Sequence, residues 1–109
     1  MEEIHEVKED RELECVFSLP VAIVFKNSPV CGISRYARRE LETFMEGTKK
    51  NVPVFLIDVI EHRNVSIQFA ERSGIPHESP QVIYLEKGMV KWHASHYEIT
   101  ADALERVIP

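Results

Sequence analysis

Two cysteines, Cys15 and Cys31, are the residues of this chain best suited to covalent chemistry. Cys31 lies in Ser28-Pro29-Val30-Cys31-Gly32-Ile33-Ser34, between the apolar run Val21-Ala22-Ile23-Val24-Phe25-Lys26 and a stretch with helical periodicity. A cysteine at the start of a helix meets unpaired N–H groups and a partial positive charge. Both favour the thiolate, the nucleophilic form of the side chain. Thiol pKa values at such places fall to about 3.5–7.5, against roughly 8.5 for a free cysteine. Ser34 can add one hydroxyl hydrogen bond to the sulfur, and Lys26, Arg35, Arg38 and Arg39 bring positive charge nearby. A free cysteine is usually a small buried hydrophobe, but Pro29 and Gly32 are poor core neighbours and the position reads as an exposed strand end. For Arg38 and Arg39 a solvated helix face is sufficient.

Ser34 stands where a second cysteine would resolve a mixed disulfide internally. Serine cannot do this. An adduct on Cys31 must then wait for an external thiol, by attack of thiolate on disulfide sulfur. Cys15 does not serve as a substitute. The strand at 21–26 separates it from Cys31, and six residues at roughly 3.3 Å each span about 20 Å, whereas a disulfide needs Cα atoms within about 7 Å. Cys15 is therefore expected to be a packing residue at the opposite pole. The histidines suggest no zinc site. His93 and His96, three apart on a strand, should point to opposite faces, and no cysteine pairing accompanies them. His77 lies near the expected thiol edge, or is simply a solvated loop residue.

Those groups need a frame. Leu13, Val16 and Phe17 suggest a helix over 10–18, ended by Pro20. The run at 21–26 is apolar on both faces, as a central strand must be. A second helix is predicted over 32–48, with Ile33, Tyr36, Ala37, Leu41, Phe44 and Met45 on one side and Gly47 as C-cap. A strand at 52–59 follows, then a helix at 62–74 with Val65, Phe69 and Ala70 inward and Gly74 at its end. Strands 81–86 and 89–94 meet at Lys87-Gly88, a tight-turn pair, with Val90 and Trp92 on one face. Thr100 caps a last helix bearing Leu104, Val107 and Ile108. Residues 3–7 admit a short strand. Pro80 opens the strand at 81; a trans bond is the commoner form there, and a cis bond would turn Ser79 toward the thiol edge. Helices between strands imply right-handed parallel crossovers, and the hairpin adds an antiparallel edge. The expected fold class is α/β, a mixed sheet between two helical layers.

Composition bounds the rest. The 109 residues suit one domain, 1–109, and a chain of this size buries roughly two-thirds of its unfolded surface without a staple. A net charge of −5 argues against a nucleic-acid partner. There is no run of about 18 apolar residues for a membrane span, and the first ten residues lack the order of a signal peptide. The cytoplasm, with free thiols, is the expected address.

Strand, capping cysteine, helix, strand, helix, then Ser-Pro before a hairpin: this order resembles the thioredoxin fold. The resemblance implies a three-layer sandwich with an active site at Cys31-Gly32-Ile33-Ser34 and Pro80 as the cis-proline. More specifically, "FKNSPVCGIS", "HESPQVIYL" and "WHASHYEIT" together resemble the monothiol bacilliredoxin family, from about residue 10 to the C-terminus. That likeness implies a small cytoplasmic thiol oxidoreductase. Cys31 would attack the mixed disulfide between a client protein and bacillithiol, or a similar low-molecular-weight thiol, and take the small thiol onto itself. Ser79 and Pro80 would shape the docking edge, with Lys26 supporting the site and no cofactor tightly bound. The partners implied are thiolated client proteins and the small thiol. One position departs: the family usually has proline after the cysteine, and here it is Gly32. The result resembles the Cys-Gly-x-Ser of monothiol glutaredoxins, which bind glutathione and can hold an iron–sulfur cluster. Their Gly-Gly…Asp-Asp signature is missing from "EKGMVKWHASHYEIT". Two rival readings follow: an iron–sulfur carrier using Cys31 from two chains and two small thiols, and a non-catalytic binding module using the Pro80 edge. A binding module has no need of an acidic thiol, and a cluster carrier would be coloured.

Overall fold

A computed structural model describes residues 3–109. Its centre is the strand the sequence marks most clearly. β2 (Val21–Asn27) is buried from Ala22 to Asn27 because both of its faces carry apolar side chains under helices. β3 (Val54–Asp58) runs parallel on one side of it, and β1 (Ile4–Glu6) runs parallel outside β3. On the other side β4 (Gln81–Glu86) is antiparallel to β2, and β5 (Met89–Ser95) is antiparallel to β4. The sheet order is β1-β3-β2-β4-β5.

Alternation along β2 divides the core in two. Ile23 and Phe25 face α2 (Gly32–Gly47) and α4 (Ala101–Val107), meeting Ala37, Leu41, Phe44 and Leu104. Ala22 and Val24 face α1 (Glu12–Ser18) and α3 (Arg63–Ser73), meeting Leu13, Val16, Val65 and Phe69. The three-layer α/β sandwich is thus the one the sequence led to. Each fully buried aliphatic or aromatic side chain contributes about 1.5–3 kcal/mol over its exposed state. Among the described residues no helix is long and apolar enough to cross a membrane.

Local signals held where local chemistry decides. Lys87 (φ 51°) and Gly88 (φ 79°) form the hairpin turn, and a Cβ on Gly88 would lie 2.5 Å from the Phe17 carbonyl oxygen. Thr100 Oγ1 accepts from the Ala103 N–H at 3.1 Å, capping α4. Gly74, at φ 77°, ends α3.

Other expectations need correction. The first helix starts at Glu12, after a turn in which the Asp10 carbonyl accepts from the Leu13 N–H. Gly47 is the last helical residue, and the cap is Thr48 in extended conformation. Phe44 and Met45 already anchor that last turn by burial, so no left-handed residue is required to end it. The third strand is confined to 54–58, because Pro53 only lends its carbonyl to the Ile23 N–H and the Val59 N–H turns to the Asn27 carbonyl. Val90 and Trp92 do not share a face. Leu85 pairs with Val90 and Tyr84 with Trp92, so Lys91 is an extra residue, a bulge that reverses the alternation. Trp92 packs on the α2 side and Val90 on the α1 side. His96 leaves the strand for a short 3-10 turn, His96–Glu98, with φ 57°. Tyr36 is 37% exposed and stacks obliquely on Tyr97 at 5.5 Å, rather than entering the core. Cys15 is exposed, not packed: the inward stripe of α1 is Leu13 and Val16.

Candidate active site

β2 delivers the chain to the carboxyl edge of the sheet, where a turn re-aims it into α2. The Cys31 N–H donates to the Ser28 carbonyl at 3.1 Å, closing that turn. Ser34, fully buried, accepts the Ser28 N–H on its Oγ at 3.1 Å, fastening the helix start to the turn. Cys31 itself is the N-cap, extended at φ −104° and ψ 127°, and its carbonyl receives the Arg35 N–H at 3.2 Å. Gly32 is exposed and Ile33 half-buried.

This placement acidifies the thiol. The Ser34 N–H lowers its pKa most, followed by the Ile33 N–H; burial opposes them, and the Ser34 hydroxyl and the Arg35 charge add to the lowering. No capping hydrogen bond of normal geometry reaches the sulfur, so the amides act on it as oriented dipoles. Both cysteines are free thiols, and Cys15 does not pair with Cys31.

Lys26 occupies different ground. It follows Ala22 and Val24 in alternation, so it faces α3 and not the thiol. It is 0% exposed, its Nζ has no partner among the described residues, and burial pulls its pKa down to about 8. Of the four cations expected near Cys31, only the charge of Arg35 lowers the thiol pKa. Lys26 lies opposite Gln81, whose Nε2 donates to the Pro76 carbonyl at 3.2 Å and whose Oε1 is unpartnered. His77 shares that side. Its Nδ1 is 3.3 Å from Ser66 Oγ, and its pKa is lowered by burial, then by Lys26 and Arg63.

The register that sets Gln81 against Lys26 brings Pro80 level with Asn27, at the carboxyl end of β2 from which the Cys31 turn departs. The Ser79-Pro80 bond is cis, Pro80 is buried and Ser79 Oγ has no partner. The predicted residues thus split between two sides of one edge: Cys31, Gly32, Ile33 and Ser34 toward α2, and Lys26 and His77 toward α3.

Asn27, Arg35 and Arg38 on the thiol side were missed as site residues. Asn27 and Arg38, with Ser28, Pro29, Cys31 and Arg35, line a cavity of about 210 Å3. The spacing was readable: Cys31, Arg35 and Arg38 stand at i, i+4 and i+7, one stripe of a helix. Elsewhere Glu6, Glu61 and His62 bring possible ligand atoms within 4.8 Å of one another, with His62 Nε2 3.7 Å from a Glu6 carboxylate oxygen. An iron–sulfur cluster takes four ligands, as a rule cysteine thiolates; this edge supplies Cys31 alone, so the carrier reading requires a second chain and two small thiols.

Comparison with known proteins agrees with this geometry. A protein with a thioredoxin fold superposes with a TM-score of 0.87 at 24% identity, over 95% of this chain and 92% of that one. A thioredoxin mutant from Halobacterium salinarum gives 0.75 at 22% identity, over 97% and 88%. The oxidised thioredoxin of Plasmodium falciparum gives 0.72 at 18%, over 95% and 93%. These likenesses fix the fold as thioredoxin-like. The family model for the monothiol bacilliredoxin BrxC matches residues 2–104. With the match spanning the cysteine turn, the cis-proline edge and the hairpin, the chain belongs to the monothiol bacilliredoxin family.

Proposed function

We propose that the chain is a monothiol thiol-disulfide oxidoreductase that lifts a low-molecular-weight thiol, bacillithiol or a close analogue, from mixed disulfides on client proteins. The observation that carries this reading is Cys31 as N-cap of α2, with its pKa lowered by the Ser34 and Ile33 amides and serine in the resolving position. The Cys31 thiolate attacks the small-thiol sulfur of the mixed disulfide. The client–sulfur bond breaks, a Cys31–small-thiol disulfide forms, and the client leaves as a thiolate that takes a proton from water. One disulfide is exchanged for another, so no outside oxidant is needed. A second small thiol then attacks the adduct and frees Cys31. Ser79 and Pro80 border the approach to the sulfur, and the cytoplasm is the compartment in which such exchange operates. Lys26 faces away and takes no part in activating the thiol.

The test is intact mass of the reduced protein after mixing with oxidised bacillithiol, oxidised glutathione and coenzyme A disulfide, with Cys31→Ser alongside. One rapid adduct, absent from Cys31→Ser, is the expected result. The fastest disulfide identifies the thiol. Failure to form an adduct, or equal reaction at Cys15, would leave the non-catalytic binding module as the better account.

A further inference from the structure

The cavity beside Cys31 has the wrong charge for the molecule around it. The chain carries a net −5, yet this pocket of about 210 Å3 is lined by two guanidiniums and no carboxylate. Arg35 has no ion-pair partner among the described residues. Arg38 meets Glu42 through Nε at 3.3 Å, which leaves its remaining N–H donors for a ligand. Asn27 is 9% exposed and lies on the α2 side of β2, alternating with Lys26. Its carboxamide, although nine-tenths buried at the cavity wall, makes no hydrogen bond among the described residues. The amide is not one of the fully buried polar groups left without a partner, so its atoms are open to the cavity and can meet a ligand. The cavity is smaller than the roughly 300–1,000 Å3 that holds a whole small-molecule ligand. It can take one end of a molecule whose sulfur sits at Cys31.

We infer that Asn27, Arg35 and Arg38 form a subsite for the carboxylate end of the small thiol, and that this subsite makes Cys31 select anionic low-molecular-weight disulfides. The inference rests on the thiol-exchange reading above. Guanidinium forks match carboxylate geometry, and the Asn27 carboxamide supplies a further N–H donor. Long-range attraction cannot be the source, because the field of an acidic chain repels anions. A preference for anions must therefore arise at the pocket.

The experiment uses three symmetrical disulfides of similar size: dithiodipropionate, with carboxylates; hydroxyethyl disulfide, neutral; and cystamine, cationic. Rates of adduct formation at Cys31 are measured at one pH, expressed as a ratio to the neutral disulfide, which cancels the thiolate fraction in each variant, and divided by the same ratio for a small neutral thiol, which cancels the different leaving-thiol pKa values. The wild type is expected to favour dithiodipropionate by roughly threefold to tenfold, the scale of one or two partly exposed charge-assisted contacts, and to disfavour cystamine. Arg35→Gln with Arg38→Gln should bring both ratios close to one. Asn27→Asp, nearly isosteric, should push the anion ratio below one. Arg39→Gln removes the same charge from the same helix outside the cavity and should leave the ratios in place. If the neutral disulfide reacts and the wild type shows no anion preference, the subsite is overturned while the oxidoreductase reading stands. An equal loss of preference in Arg39→Gln would likewise overturn it, as a general field effect. If no disulfide of the three reacts at Cys31, the oxidoreductase reading falls and the subsite with it.

Discussion

Cys31 and Cys15 are the same residue on two helices of one small protein, and the less accessible of the two is the one whose thiol stands at a helix start. Cys15 is exposed in the middle of α1, while Cys31 is partly buried. Around Cys15 the helix has already used its amides, since N–H groups past the first turn bond to carbonyls four residues back. Cys31 precedes the first turn of α2, where the Ile33 and Ser34 N–H groups have no carbonyl to serve and face the sulfur instead. The contrast teaches that position along a helix, more than exposure, makes a thiol a nucleophile.

The strongest way to break this comparison is to let both thiols compete for a neutral alkylating agent. Cys31 is expected to react on the order of ten to a hundred times faster at neutral pH, judging from the range of helix-start thiol pKa values. Cys31→Ser should abolish the fast phase, and Cys15→Ser should change it less than twofold, read by peptide mass. The rate at Cys31 should fall with acidification, at an inflection below the ordinary thiol range, because the folded state holds the thiolate. The same lowering stabilises the fold above the unfolded thiol's pKa, and that stabilisation is lost as pH falls through the folded value. Equal rates at the two cysteines would overturn the electrostatic account.

Much of this was legible in the sequence, because the informative features are local. Glycine in a tight turn, threonine before a helix, a two-faced apolar strand and a cysteine at a strand-to-helix junction each act within a few residues. What was not legible depends on residues far apart. The bulge at Lys91 exists only in the pairing of β5 with β4, and it inverted the expected faces of Val90 and Trp92. Cys15 reads from the sequence as a packing residue, but the short α1 buries only Leu13 and Val16. Lys26 is an intermediate case. Strict alternation from Ala22 and Val24 already put it on the face away from the thiol, whereas counting it as a nearby charge relied on sequence distance alone. Asn27, by the same parity, belonged on the thiol side.

Lys26 offers the next test, since a buried cation in reach of the thiol would blur the contrast between the cysteines. Lys26→Met should leave the inflection of Cys31 reactivity in place and raise stability. Burial lowers the lysine from 10.5 to about 8. The unfolded chain therefore binds more protons between those values, and wild-type stability rises with pH across that window. The difference from Lys26→Met should shrink over the same window, from a starting size on the order of 3 kcal/mol. Tyr84, pushed up to about 12 by burial, acts in the opposite sense above pH 10, so the difference between the two proteins is the quantity to follow by denaturant melts. A Cys31 inflection that moves up by a full pH unit in the variant would put Lys26 back beside the thiol.

Ser34→Ala probes the same contrast on a smaller scale. The hydroxyl accepts the Ser28 N–H in a buried place, and its loss should cost about 1–2 kcal/mol. It is also one of the weaker contributions to thiol acidity, behind the two amides. The Cys31 rate below the inflection should drop only a few-fold, and the amides should keep it well above the rate at Cys15. A fall to the Cys15 level would transfer the activation from backbone to hydroxyl.

The smallest effect separates the amides from each other. Gly32→Pro restores the residue usual in the family and deletes one N–H at the very start of α2. That N–H is not among the groups that lower the Cys31 pKa, which are those of Ser34 and Ile33. The change is also sterically admissible. No atom lies within 4 Å of a Cβ at this position, proline suits the first helical residue, and Cys31 already has the extended conformation required before proline, at φ −104° and ψ 127°. Restricting the unfolded chain should therefore add about 0.4–1 kcal/mol, visible as a small rise in melting temperature. The alkylation rate at Cys31 should change less than twofold. A tenfold loss would mean that the Gly32 amide, or the freedom of its backbone, serves the sulfur during reaction, and the distinction between Cys31 and Cys15 would then rest on one more residue than the resting geometry assigns.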